Sequence, residues 1–207
     1  MKIISLMAQK GGVGKTTLTL HWAVEAERQG HGKVAVIDMD VQQSAAKWSL
    51  RRDQDSPVML RADESNVREA VEACQENGFD LVLIDTMPRV EASSVEAAKV
   101  ADLSVIPCGP SVLDIEAIAV TIEITNRVKT PGVIVINQGR HNSGINDKTA
   151  AVLNQYEMPL CPVQIMHRAA LEDAFIDGRA VAELRPRSKA AREIADSWKW
   201  IVKQLED

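Results

Sequence analysis

The chain has 207 residues, with 24 Lys or Arg against 29 Asp or Glu and a formal net charge of −5. That balance argues against a protein that coats nucleic acid through its overall charge, and with 45% hydrophobic but only 3% aromatic residues any core must be aliphatic. Cys74, Cys108 and Cys161 are scattered and show neither a disulfide framework nor a paired metal-binding spacing. No apolar run reaches the ~20 residues that span a bilayer, and residues 2–7 lack the pattern of a secretory leader, so a reduced, cytoplasmic protein is expected.

The first apolar run, residues 2–7, reads as a buried strand. A glycine-rich turn follows, Gln9-Lys-Gly-Gly-Val-Gly-Lys-Thr-Thr17, and residues 18–28 then read as a helix. Such a turn between strand and helix brings backbone N–H groups together on a phosphate chain. Gly11, Gly12 and Gly14 carry no Cβ, so the backbone can press against the ligand. Lys15 would reach the β- and γ-phosphates, the Thr16 hydroxyl would coordinate Mg²⁺, and Thr17 would donate to the α-phosphate. With Val13, these residues form the expected nucleotide site. Gln9 stands where the strict G-x-x-x-x-G-K-[ST] pattern needs its first glycine, and Lys10 is a second lysine in the loop. A Rossmann dinucleotide loop has no Lys-Thr pair.

Further along, residues 34–37 read as a strand ending at Asp38, residues 43–52 as a short helix and residues 58–60 as a weak edge strand. Residues 66–76 carry Val67, Ala70, Val71 and Cys74 at helical spacing, and Gly78 stops that helix. Residues 81–84 form an apolar strand ending at Asp85. A helix at 93–100, a strand at 103–106, a long helix at 113–128 and a strand at 133–136 ending at Asn137 follow. A polar loop at 139–146, a helix at 147–155, a last short strand at 162–165 and helices at 169–177 and 188–205 complete the chain. Short aliphatic strands separated by helices predict an α/β fold, a doubly wound, mostly parallel sheet flanked by helices, with residues 1–207 as one domain. Ligands in such sheets sit at the carboxyl ends of the strands, which gathers Lys10, Asp38, Asp40, Asp85 and Asn137 on one edge. Asp38 and Asp40 alternate along an extended chain and so point the same way. One such carboxylate can position a water at a γ-phosphate, and another can hold a metal's water shell.

The loop x-K-G-G-x-G-K-T-T resembles the deviant P-loop of the ParA/MinD family of ATPases, and short ParA-like plasmid partition ATPases above all. The resemblance runs from residue 2 to about 184. It implies ATP and Mg²⁺, with Lys10 reaching across a homodimer interface to the partner's nucleotide and acting with Lys15 and Asp40 in catalysis. The family's D-x-D-P-Q runs here as Asp38-Met-Asp40-Val41-Gln42, with valine in place of proline. By that match Asp40 orients the attacking water, and Asp38 sits near the metal with Thr16 and Asp85. The family's D-x-P-P runs here as Asp85-Thr86-Met87-Pro88. Residues 107–110 resemble the proline-bearing loop that borders nucleotide and dimer partner. Asn137 and a later loop at Pro162 and Val163 match the positions that hold adenine. A guanine-reading N-K-x-D is absent, because Gln138-Gly139-Arg140 follow Asn137.

Short ParA-like members lack a separate amino-terminal DNA-binding domain, bind DNA non-specifically as ATP dimers and answer to a ParB-like cargo adaptor. That implies association with the nucleoid. Arg168, Arg185, Arg187, Lys189 and Arg192 are the candidate phosphate contacts. Arg127 and Lys129 are explained by the dipole at a helix end. MinD-like members act at the membrane, which is the alternative reading. Against it, Ile194, Trp198, Ile201 and Leu205 recur at the spacing of a stripe packed on a core, and anionic lipid would repel the terminal Glu206-Asp207.

Overall fold

A computed structural model describes residues 1–141 and 143–206. Asn142, part of the polar loop expected at 139–146, and the terminal Asp207 lie outside the described residues. Six strands form one sheet: β1 (Lys2–Leu6), β2 (Val34–Asp38), β3 (Val58–Arg61), β4 (Leu81–Asp85), β5 (Leu103–Cys108) and β6 (Gly132–Ile136). Their order is β3-β2-β4-β1-β5-β6, and every pairing is parallel. The helices are α1 (Lys15–Arg28), α2 (Ser44–Ser49), α3 (Val67–Glu76), α4 (Glu91–Val100), α5 (Val112–Val128), α6 (Ile145–Leu153), α7 (Ala169–Asp173), α8 (Val181–Leu184) and α9 (Lys189–Gln204).

The central strands carry aliphatic residues at successive positions because helices cover both faces. On one face Ile4, Leu6, Val36 and Leu83 pack with Leu18 and Trp22 of α1 and with Ile194, Trp198 and Ile201 of α9. On the other, Ala35, Ile37, Val82 and Ile84 pack with Val67, Val71 and Cys74 of α3. Ile106, Ile134 and Ile136 pack with Ile118 and Ile122 of α5. Register then sets the site: Asp85 is the Cα partner of both Leu6 and Asp38, so the ends of β1, β2 and β4 lie level at one edge.

Two expectations are corrected. Residues 162–165 are not a strand. Cys161 N and Ile165 N donate to Ile134 O and Ile136 O at 2.8 and 2.9 Å, but Val163, the alternate position between them, makes no backbone bond to β6 among the described residues, and only isolated bridges form. The helix at 169–177 is split: α7 ends at Asp173, and Ala174–Asp177 tightens into a 3-10 turn. Gly178 closes it at φ 65°, where a Cβ would strike the backbone of Arg51 and Arg52. The four-residue α8 is too short to show a period of its own.

His21 joins α1 to this irregular segment. It is fully buried, its ring stacks on Phe175 at 4.8 Å, Nδ1 accepts from Val181 N at 3.2 Å, and Nε2 donates to Leu171 O at 3.2 Å. Burial pushes its pKa down to about 4. The unfolded chain therefore takes up a proton near the ordinary histidine value of about 6.5 while the folded chain does not, and stability drains away as pH falls from about 6.5 to about 4. His21→Asn cannot titrate. It is expected to melt lower than wild type at pH 7 but to lose less over that window in pH-resolved thermal melts. Equal losses in both proteins would contradict this.

Among the described residues no helix is long and apolar enough to cross a membrane. The apolar stripe of α9 is turned inward: Ile194, Trp198 and Ile201 are buried, and Trp22 Nε1 donates to Ser197 Oγ at 3.0 Å.

Candidate nucleotide site

The phosphate loop leaves β1 and enters α1 through Gly14, whose φ is 87°. A Cβ there would fall on the Asn137 side-chain amide. Asn137 Nδ2 donates to Val13 O at 2.8 Å, and Gln138 Nε2 donates to Gly12 O at 2.8 Å, so the end of β6 fixes the loop from outside. Among the described residues no side chain caps the start of α1, and its first turn holds no acidic residue. Free N–H groups and the positive end of the helix dipole thus face the loop, which suits an anion.

Lys15 is 7% exposed, and its Nζ donates to Ala8 O at 3.3 Å. Burial lowers its pKa, while Asp85 and Asp40 act to hold the proton on. Thr16 Oγ1 donates to Asp85 Oδ2 at 2.6 Å. The other oxygen, Asp85 Oδ1, is buried with no hydrogen-bond partner among the described residues. Burial pushes the Asp85 pKa up to about 7, against the opposing Thr16 hydrogen bond. A buried carboxylate with an empty acceptor beside a hydroxyl oxygen is a hard oxygen donor set, and it fits Mg²⁺.

Asp38 and Asp40 lie at the same edge in different settings. Asp38 is 3% exposed and accepts Asp40 N at 3.0 Å and Ala46 N at 3.1 Å, one on each oxygen. It shapes the turn into α2, and its charge is felt at Asp85. Burial raises the Asp38 pKa. Asp40 is partly exposed and accepts Gln42 N at 2.8 Å.

Lys10 does not turn back onto its own loop. Its Nζ meets Asp114 Oδ1 of α5 at 2.5 Å, with 35% and 12% of the two side chains exposed. Asp114 also accepts from the Ser111 hydroxyl, and Ser111 Oγ accepts Asp114 N in return. Motif reading passes over Asp114. The available signal was Ser111-x-x-Asp114, a capping pattern at a helix start.

A cleft beside Thr17 is lined by Asn137, Met166, His167, Arg168 and Leu171. Pro162 and Val163, expected at the base, lie outside it: Pro162 is exposed and Val163 packs against the core. The segment four residues on, Met166 to Arg168, lines it instead. A separate cavity lined by Lys2, His31, Trp198 and Val202 lies at the opposite end of the strands and shares no residue with the loop. Burial pushes the Cys108 and Cys161 thiols up to about 12 and 11, which makes both poor nucleophiles.

The basic residues divide. Arg168 is forked onto Glu193 at 2.5 and 3.0 Å. Arg185 meets Asp173 at 3.5 Å on the surface. Arg187, Lys189 and Arg192 are exposed and form no ion pair among the described residues.

An all-parallel sheet with a cationic loop capping a helix start defines a nucleotide-binding protein of the P-loop class. The family model described as the CobQ/CobB/MinD/ParA nucleotide binding domain matches residues 4–181, and the chain belongs to that family. It is an ATPase of the ParA/MinD group. Maintenance of carboxysome distribution protein A of Gloeobacter kilaueensis is 28% identical over 211 residues, covering 99% of this chain and 94% of that protein. Protein IncC of Escherichia coli is 24% identical over 250 residues, covering 95% of this chain and 68% of IncC. Among solved structures, the septum site-determining protein MinD of Pyrococcus horikoshii, complexed with Mg-ADP, superposes with a TM-score of 0.79 at 17% identity, covering 97% of this chain and 95% of that one.

Proposed function

We propose that the chain is an ATP-switched homodimer that binds DNA non-specifically in its ATP state and positions plasmid or other cargo through an adaptor that stimulates hydrolysis. The observation that carries this is the direction of Lys10. Its ammonium leaves its own phosphate cradle for Asp114, and 35% of the Lys10 side chain stays exposed. Asp114 holds the lysine while no triphosphate is present. A partly exposed pair of this kind is worth about 0–1 kcal/mol, so a polyanionic triphosphate displaces it readily.

ATP lies on the loop from Gly11 to Thr17, with Lys15 on its β- and γ-phosphates and its base in the cleft beside Asn137. Thr16 and Asp85 would hold Mg²⁺, with Asp38 fixing the neighbouring turn, and the bound ion would supply charge neutralisation at the phosphates. Asp40 orients the attacking water, and loss of the γ-phosphate removes what Lys10 neutralises and loosens the dimer. The Gloeobacter relative, by its name a protein that maintains carboxysome distribution, supports a positioning task. The inward stripe of α9 favours DNA over a membrane surface as the matrix.

Arg187, Lys189 and Arg192 supply the DNA phosphate contacts. Replacing all three by alanine is expected to weaken ATP-state binding about tenfold or more and to lower the slope of log affinity against log salt by about 3, roughly one per lost contact. Gel shifts with ADP, ATP and a slowly hydrolysed analogue at two salt concentrations test this. ATP-specific, salt-sensitive retention is the expected pattern, and retention that ignores nucleotide or survives the triple substitution contradicts it.

A further inference from the structure

Glu193, on the second turn of α9, has no place in the hydrolysis described above, yet its carboxylate accepts three hydrogen bonds from one short segment. Met166 N donates to Oε2 at 3.1 Å, Arg168 Nε to Oε2 at 3.0 Å, and Arg168 Nη2 to Oε1 at 2.5 Å. Both side chains are largely covered, at 18% exposed for Glu193 and 20% for Arg168. Met166 and Arg168 also line the cleft beside Thr17 and Asn137. The far side of the segment is bonded to the end of β6: His167 N donates to Gly139 O and Gly139 N to Ile165 O, each at 2.9 Å.

These bonds join end to end. Val13 O and Gly12 O of the phosphate loop accept from Asn137 and Gln138, Gly139 pairs with Ile165 and His167, and Met166 and Arg168 grip Glu193. Glu193 stands one helical turn after Lys189 and directly after Arg192, two of the exposed cations assigned to DNA. The fork also accounts for Arg168. Its guanidinium is planar and bidentate, and its pairing with Glu193 leaves it aimed at α9 and away from solvent DNA.

We propose that Glu193 is a positioning residue that ties the nucleoside cleft to the basic start of α9, so that a nucleotide filling the cleft orders Lys189 and Arg192. The placing of the nucleoside in this cleft and the DNA role of those two residues rest on the function proposed above, whereas the bonded tie between cleft and helix does not. A carboxylate that served only to hold α9 in place would affect the nucleotide-bound and nucleotide-free states alike. A tie makes the start of α9 respond to nucleotide.

Amide hydrogen exchange on the full chain, with and without Mg²⁺ and a slowly hydrolysed ATP analogue, reads that response. In wild type, both the phosphate loop and residues 190–194 are expected to exchange about fivefold or more slowly with nucleotide, a ratio typical of coupled sites. In Glu193→Gln the slowing at the phosphate loop should persist, and that at residues 190–194 should shrink to within about twofold. Arg168→Lys keeps the charge and the Met166 bond but loses the fork, and carries the same test at smaller amplitude if thermal melts show the Gln variant unfolded. A wild type with no nucleotide response in α9, or folded variants that keep the whole response, would overturn the proposal. Gel shifts on the same preparations separate the two readings: an α9 that responds in a protein retaining no DNA removes the DNA role and leaves the tie standing.

Discussion

Asp40→Ala is expected to lower ATP turnover by about a hundredfold or more while nucleotide still binds, the scale of losing a group that acts on the transferring proton or the water. Phosphoryl transfer to water asks the protein for an oriented nucleophile and neutralised charge more than for covalent help. Orientation needs a rigid carrier, and Val41 in place of the family's proline removes one source of rigidity. Hydrogen bonds supply it instead. Asp38 accepts Asp40 N at 3.0 Å and Ala46 N at 3.1 Å, and Asp40 accepts Gln42 N at 2.8 Å. The whole turn from β2 into α2 is therefore pinned through the backbone. Asp40 is also one of the two carboxylates that help keep Lys15 protonated, with Asp85 the larger influence. Removing it leaves that lysine to Asp85 and takes one negative charge from the neighbourhood of the triphosphate, so affinity should hold or rise slightly. Single-turnover hydrolysis beside fluorescent-nucleotide titration separates the two quantities. Turnover within about threefold of wild type would remove Asp40 from the mechanism.

Lys10→Ala carries the second large effect: dimerisation driven by ATP should vanish at any nucleotide concentration, while each subunit still binds nucleotide through Lys15 and the loop amides. Asp114→Asn acts in the opposite direction. Lys10 is gripped by a carboxylate that Ser111 helps to place. Removing that charge frees the ammonium, so dimers should assemble at several-fold lower ATP, a shift of about 0–1 kcal/mol for a partly exposed pair. Sedimentation across an ATP titration reads both variants. A Lys10→Ala protein that dimerises with ATP as wild type does would contradict the role, and an unmoved Asp114→Asn titration would reduce the Lys10–Asp114 contact to ordinary surface pairing.

Much of the fold could be read from the chain because its physics is local. Residues 34–37, 81–84 and 133–136 are short aliphatic runs without alternation, the mark of strands covered on both faces, and each is a strand here. The loop from Gln9 to Thr17 needs only its own glycines and its place between strand and helix. The adenine side was less legible because it depends on tertiary contacts. Residues 162–165 look like a strand by composition, but Val163 makes no ladder bond to β6 among the described residues, and the residues facing the cleft come later, at Met166 to Arg168. The basic cluster shows the same limit. Charge alone groups Arg168 with Arg187, Lys189 and Arg192, and only the approach of α9 reveals that Glu193 holds it. Asp114 lies 104 residues from Lys10 in sequence, so its capping pattern was visible but not the lysine it would meet.

The central claim is that Lys10 acts on the nucleotide of the other subunit, and a mixing experiment tests it most directly. A Lys10→Ala chain keeps a sound phosphate site but lacks the crossing ammonium. A Lys15→Ala chain keeps Lys10 but cannot grip its own triphosphate. Each alone should be inactive. Mixed, they should recover hydrolysis, because the first chain's ATP meets the second chain's Lys10. If the mixture stays as inactive as its parts while the two chains are shown to associate, Lys10 works only within its own subunit and the proposed switch is wrong.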